Sequence, residues 1–368
     1  AKDELDCLYE QAQFQPIIGN LKDEEGQPEW AKPYLVHKTK AGTKIAFLAY
    51  TFPYYLTYAP NGWQVLEPMA RLEEDLARSE VRDADLVIVL SHLGVRYDEQ
   101  ISETYPQVNL VIGSHTHHLF EEGKLINETY LAAADRYGYF LGCIDLTVEN
   151  GQMIACQIEA IPTKDYILDL DKEDEAFIKA MREEGHRRLA QEKVANLGRK
   201  LNFNETCQLV LQAVCQETDS QLTLLNTGLI MKTLGPQVTM ADLQEALPHQ
   251  MRMARLFVTG QELKEICREV FTKAELLKNQ AIKGMGFRGK VFGELITGNF
   301  AYKNGNLLYN SRVVDSNEKF SLVLVDQYYF SSYFPTIKEK EVTLLFPDLF
   351  RELVAKYLRN NGADWDKR

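Results

Sequence analysis

No stretch of the 368-residue sequence stays apolar over the ~20 residues that a membrane-spanning helix needs, which excludes such a helix. A basic-then-apolar leader is also missing, so nothing in the chain as given directs secretion. The chain opens on Ala1 rather than Met, however, and a signal removed by processing would leave no trace. The expected location is therefore cytoplasmic, with export as the alternative. Basic residues are in deficit, 41 Lys and Arg against 53 Asp and Glu, for a net charge of −12. That balance argues against a nucleic-acid backbone as partner, which calls for clustered cations. A small phosphorylated substrate stays admissible, because a bound metal can supply the positive charge locally. The six cysteines (Cys7, Cys143, Cys156, Cys207, Cys215, Cys267) are far apart and form no C-x-x-C pair. Such spacing suits reduced thiols better than a disulfide framework or a zinc ribbon. Internal repeats and low-complexity tracts are likewise absent.

What is present describes a soluble globular protein, 45% hydrophobic and 26% charged, and long enough for two domains. Residues 1–162 alternate β-rich runs with helical stretches. "TKIAFLAYTF", "DLVIVLS", "NLVIG" and "YLAAAD" read as strands, and "PMARLEEDLARSEV" as an amphipathic helix. "YFLGCIDLTVEN" ends in Asn150-Gly151, a hairpin signal leading into "QMIACQIEAI". Residues 163–196, rich in charge, read as an exposed linking helix, with His186 on its surface. Residues 197–368 read as a second, mixed domain. The expected fold is thus an α/β layered domain followed by a mixed α/β one.

Four of the seven histidines fall between Leu90 and His118, in "LSHLGVRYDEQISETYPQVNLVIGSHTHH". Continuous apolar runs precede His92 and His115, the mark of strands buried on both faces. The crossover between them has βαβ length, so the strands should be parallel and neighbouring, with both carboxyl ends at one sheet edge. His92, His115 and His117 then converge from two adjacent loops, and neutral imidazole is the commonest metal-binding side chain. Gly113 and Ser114 keep the turn narrow. The alternate spacing of His115 and His117 predicts two rings on one side of an extended segment, with His118 facing away.

"VIVLSHLG…D…NLVIGSHTH" resembles the two distal metal motifs of the calcineurin-like metallophosphoesterases, in their 5′-nucleotidase branch. The usual form is a strand followed by S-H-L-G, then about twenty residues on a strand followed by G-G-H-T-H. More loosely, the likeness extends through "YLAAADRYGYF" and the hairpin to "LLNTGLI" and "LFVTGQEL". It implies a two-domain hydrolase with two divalent metal ions (Mn, Zn, Fe or similar), His92 and His115 on one and His117 on the other. Two ions ~3.5–4 Å apart clamp a phosphoryl group and activate water.

The resemblance also calls for an upstream D-x-H, a G-D and a G-N-H-D/E, none of which the sequence contains; "IIGNL" has Gly19-Asn20 but continues to Leu21. The chain is therefore expected to start after those motifs, as a shortened metallophosphoesterase α/β sandwich with no catalytic residue of its own. It should bind metal weakly and be inactive alone. The lost strands would leave the sheet exposed to self-association.

In that family the C-terminal domain holds the nucleoside between two rings. The residues assigned to this role are Asn226, Gly228, Phe287, Arg288, Phe330 and Phe334, with Phe287 and Phe330 as the preferred rings. Tyr328, Tyr329 and Tyr333 are further ring candidates, and Lys290 adds charge beside Arg288. Two features depart from the pattern. N-x-G-x-I-R becomes Asn226-Thr227-Gly228-Leu229-Ile230-Met231, so Met stands for Arg, with Lys232 or Arg288 as substitutes. The late G-G-D-G-Y is replaced by "FSSYFP". His249 reads as a surface loop residue. The implied function is metal-dependent hydrolysis of nucleoside monophosphates, 2′,3′-cyclic nucleotides or nucleotide-diphosphate sugars. The alternative is a nucleotide-binding protein without hydrolysis.

Overall fold

The apolar runs become a mixed six-stranded sheet in the computed structural model, which describes residues 2–165, 172–282 and 286–362. Its strands are β1 (Tyr34–Lys38), β2 (Lys44–Thr51), β3 (Leu86–His92), β4 (Leu110–Gly113), β5 (Lys124–Ile126) and β6 (Thr129–Ala132). Their spatial order is β1-β2-β3-β4-β6-β5. The four central strands run parallel, and β1 and β5 close the edges antiparallel. Successive residues of β3 serve opposite faces. Val87 and Val89 pack toward the helices, whereas Ile88 and Leu90 pack toward a hairpin on the other side. Burying each such side chain stabilises the fold by ~1.5–3 kcal/mol, which is why this strand is apolar from Leu86 to Leu90.

The longer helices of this unit are α1 (Lys2–Glu10), α2 (Pro68–Leu76) and α3 (Val95–Thr104). α3 is the expected crossover between β3 and β4, and it buries Asp98, Ile101 and Ser102. α2 carries Asp75, fully buried between Arg71 and Arg78 and receiving the Tyr50 hydroxyl at 3.1 Å. Paired in this way, the buried carboxylate fixes α2 to β2. The hairpin strands β7 (Phe140–Glu149) and β8 (Gln152–Pro162) meet at Asn150 and Gly151, with φ of 52° and 77°. Both angles are left-handed, as a two-residue hairpin turn requires.

The chain divides into two compact units at Lys172–Glu173. The charged segment expected as a linker over 163–196 contains α4 (Lys172–Gln191), which falls almost wholly in the second unit, and His186 on it is exposed. The following strand, Lys193–Asn196, pairs with Gln237–Thr239 inside the second unit. That unit is built on a five-stranded sheet of β9 (Leu222–Asn226), β10 (Met253–Thr259), β11 (Leu295–Gly298), β12 (Lys319–Val325) and β13 (Thr343–Leu345), ordered β11-β9-β12-β10-β13. α5 (Phe203–Glu217), α6 (Gly260–Leu277) and α7 (Phe350–Asn361) bury their apolar faces. Capping boxes start α5 at Asn202 and α6 at Thr259, each satisfying two otherwise unpaired backbone N–H groups. Among the described residues all six cysteines are free thiols, and no helix is long and apolar enough to cross a membrane.

Candidate functional site

Parallel pairing aligns the carboxyl ends of β2, β3 and β4. Thr51 sits opposite His92, and Ser91 opposite Gly113. His92 is therefore the last residue of the middle strand, and His115 begins the loop of its neighbour. Their rings meet: His115 Nδ1 lies 3.3 Å from His92 Nε2, with centroids 4.9 Å apart. Each outer nitrogen has a hydroxyl partner. His92 Nδ1 is 2.8 Å from Ser114 Oγ, and His115 Nε2 is 3.3 Å from Tyr54 OH. Phe52, just past β2, stacks on His115 at 4.9 Å and 17°. The sequence reading missed Phe52 and Tyr54; their position at the end of the next parallel strand was the available signal.

The loop geometry corrects one expectation. His115 and His117 do not lie on an extended segment, because both have left-handed backbone, with φ of 65° and 54°. The Thr116 N–H closes a tight turn onto Ser114 O at 2.7 Å. Thr116 Oγ1 in turn accepts from the Val95 N–H at 3.0 Å and contacts His118 Nδ1 at 2.9 Å. The turn brings His92 and His115 together and leaves His117 exposed beside them. Partial burial pushes the pKa of His92 and of His115 down. Charge on His117 pushes both the same way, and His92 adds to the effect on His115. Neutral, metal-competent imidazole is thereby favoured.

Beneath this edge Asp98 is buried, contacts Ser91 Oγ and leaves Gly113 no room for a side chain. Burial drives its carboxyl up to about 6, against the Ser91 hydrogen bond.

Two nitrogens each ~2.0–2.1 Å from a tetrahedral ion stand about 3.3–3.4 Å apart, the spacing found between His92 Nε2 and His115 Nδ1. The pair supplies two ligands only. Among the described residues, no three His, Cys, Asp or Glu side chains gather closely enough to hold an ion.

In the second unit the expected ligand residues are placed unevenly. Asn226 is buried, donating to Phe292 O and accepting from Tyr328 OH at 2.8 Å. Gly228 packs against the backbone of Val291 and Phe292, where a Cβ would overlap both carbonyl oxygens. Phe287 lies inside, its ring stacked on His249 at 5.0 Å, and Phe334 is enclosed by Phe292, Tyr328 and Tyr333. Phe330 is half-buried and edge-on to Tyr329. Lys232 is held by Glu245 at 2.6 Å, and Lys290 is exposed.

His249, expected at the surface, is fully buried. Its Nδ1 accepts from the Arg288 N–H at 3.0 Å, which assigns the other proton to Nε2, 2.9 Å from Leu229 O. Burial brings its pKa down to about 4; Arg288 and Arg351 add to the fall, and Leu229 opposes it. The two guanidiniums flank the segment, Arg288 reaching Gln250 Oε1 and Arg351 reaching His249 O. Among the described residues neither pairs with a carboxylate. Arg351, 102 residues downstream of His249, gave no sequence signal.

No protein-family model matches the chain. The metallophosphoesterase YunD of Bacillus subtilis is 31% identical over 374 residues, an alignment spanning 96% of this chain and 80% of YunD. A Staphylococcus aureus protein assigned to the 5′-nucleotidases superposes with a TM-score of 0.65 at 14% identity, covering 97% of this chain and 78% of that one. The NAD nucleotidase of Haemophilus influenzae superposes with a TM-score of 0.59 at 13% identity, covering 98% and 79% respectively.

Proposed function

Because this chain belongs to the metallophosphoesterase family and has the fold of the two-domain 5′-nucleotidases, we propose that it serves metal-dependent phosphoester hydrolysis of nucleotides. The observation that carries this reading is the pair of facing nitrogens, His92 Nε2 and His115 Nδ1, at the carboxyl edge of a parallel sheet. His92 and His115 would hold one divalent ion, and His117, exposed beside them, would serve a second. Ions bound there neutralise phosphoryl charge and make water a better nucleophile at neutral pH. The chain's own part is to hold two neutral rings in place and to keep one side of His115 dry with Phe52 and Tyr54.

The second unit would read the substrate. Arg288 and Arg351 offer guanidiniums with no carboxylate partner among the described residues, which suits a phosphate group. Arg288 is the better stand-in for the arginine that Met231 replaces, since Lys232 is already paired with Glu245. Phe330, Tyr329 and Tyr333 are the half-buried rings of that segment, and Phe330 is kept as the ring that would meet the base. Nucleoside monophosphates, 2′,3′-cyclic nucleotides and nucleotide-diphosphate sugars all carry the required anion.

By itself the chain should turn over little or nothing, because the imidazole pair lacks a bridging carboxylate among the described residues. The test is phosphate release from AMP and UDP-glucose in Mn²⁺, run beside full-length YunD. Turnover by this chain at a rate comparable to YunD would sink the claim of incompleteness. Absence of Mn²⁺ binding to the chain would sink the metal reading itself.

A further inference from the structure

The outer edge of β1 is open over a short, defined length. Thr39 turns its N–H inward to Thr43 O at 2.9 Å, and Lys44, opposite Lys38, turns its C=O the other way, to the Asp85 N–H at 2.9 Å. The β1–β2 register then runs unbroken to Tyr34 and Leu48. Backbone groups alternate sides along a strand, so Leu35 and His37 face β2, whereas Tyr34, Val36 and Lys38 point N–H and C=O groups out of the sheet. Among the described residues no strand pairs with that side. The open length ends at the Thr39–Thr43 turn on one side. On the other it ends at Pro33, beyond which Lys32 bonds Pro16 O and the Ile18 N–H. A groove of about 640 Å³ lies along it, walled by Ser79, Glu80 and Asp83.

We propose that this edge is a contact between two copies of the chain: β1 of a second copy pairs antiparallel with it about a two-fold axis through Val36, making one continuous sheet. The outward residues are spaced evenly about Val36. The axis therefore sets Val36 against Val36 of the second copy and Tyr34 against its Lys38, and each of these pairs exchanges both hydrogen bonds. The side chains match as well. Tyr34, Val36 and Lys38 share one face of the strand, and on that face the Tyr34 hydroxyl donates to Glu80 Oε2 at 2.6 Å. Neither Glu80 nor Lys38 has an ion-pair partner among the described residues. Lys38 of the second copy, opposite Tyr34, reaches that carboxylate, and the axis repeats the pair. A lysine on an exposed edge ordinarily keeps a second strand away; here it has a carboxylate to meet. Arg78, over the Tyr34 ring at 5.4 Å, is already paired with Asp75. Tyr34 and Val36 pack against the core residues Leu72, Val81 and Val89, so β1 keeps its place before the second copy arrives. The contact needs no metal and does not depend on the function proposed above.

Sedimentation equilibrium of the whole chain over a concentration series, with hydrogen exchange of the β1 amides, is the test. The expected result is a reversible dimer in which the amides of Tyr34, Val36 and Lys38 gain protection with concentration. Those of Leu35 and His37, already bonded within the sheet, should not change. Val36→Pro removes an N–H that the sheet does not use and should raise the dissociation constant roughly 10–100-fold, since the bonds across the axis are lost. Lys38→Glu and Glu80→Lys, both at exposed positions, should each weaken the dimer, and the two together should restore it. A monomer at every concentration overturns the proposal. So does a dimer that Val36→Pro leaves unweakened, which would place the contact elsewhere. Charge reversals that fail to compensate overturn the register about Val36.

Discussion

Asp98 and Gly113 are matched in shape: the carboxylate of α3 fills the space that any side chain on the last residue of β4 would occupy. The same carboxylate contacts Ser91, so one buried group spans the ends of both strands that carry the histidines. Gly113→Ala should therefore cost ~1–3 kcal/mol through overpacking. Asp98→Ala in the same chain should return part of that loss, since the two changes share one site. Thermal unfolding of the two single variants and the double variant measures the coupling. Strict additivity would show that the two residues do not compete for space.

The metal assignments make a graded prediction. His92→Ala and His115→Ala each remove one of the two facing nitrogens and should abolish measurable Mn²⁺ or Zn²⁺ binding. His117→Ala should leave one ion bound and remove any second. His118→Ala should change nothing beyond the error, because its ring is tied to Thr116 rather than to the pair. Calorimetric stoichiometry separates these cases. Equal losses in all four variants would point to general disruption of the loop.

Much of this edge was legible in the sequence, and for a physical reason. A parallel strand must be apolar on both faces, so Leu86–Leu90 and Leu110–Ile112 announce themselves, and a histidine at their ends has only the sheet edge to occupy. The βαβ crossover and the Asn150-Gly151 turn follow from equally local rules. The conformation of Ser114 to His117 did not, because alternation is a rule of extended backbone and here two non-glycine residues are left-handed. Aromatic residues misled for a different reason. Phe287 and Phe334 are as apolar as any ring that stacks on a base, and composition does not tell an enclosed ring from an open one. His249 was hidden similarly: its partners Leu229, Arg288 and Arg351 come from three distant segments that only the folded second unit brings together.

Opposed titrations should make the stability of the second unit nearly flat in mildly acidic solution. His249 titrates at about 4 in the folded chain and near ~6.5 when unfolded. As pH falls the unfolded state takes the proton first, so His249 alone removes about 3 kcal/mol between pH ~6.5 and ~4. Asp326 behaves inversely. Burial raises it to about 6, against hydrogen bonds from the Arg252 and Gln327 N–H groups. Its unfolded value is ~3.9, so the folded state takes the proton first and stability rises by a similar amount over the same window. Hydrogen exchange of β10 and α6 between pH 7 and 4.5 reads this unit by itself. His249→Gln should gain protection as pH falls, and Asp326→Asn should lose it. Identical pH profiles in both variants would refute the opposition.

Met231 provides the sharpest check on how the second unit meets an anion. The side chain is 38% exposed, so an arginine placed there would reach solvent rather than the core. Arg288→Gln and Arg351→Gln each remove one guanidinium with no carboxylate partner among the described residues. Each should weaken AMP binding by about tenfold, the loss of ~1.4 kcal/mol expected for a charge-assisted hydrogen bond to phosphate. Met231→Arg adds a guanidinium where the family pattern has one. If Arg288 has taken over that role, Met231→Arg should restore AMP affinity to the Arg288→Gln variant and add less to the wild type. Equal gains in both backgrounds would mean that Arg288 and position 231 contact the ligand independently. No gain in either would place the anion out of reach of position 231.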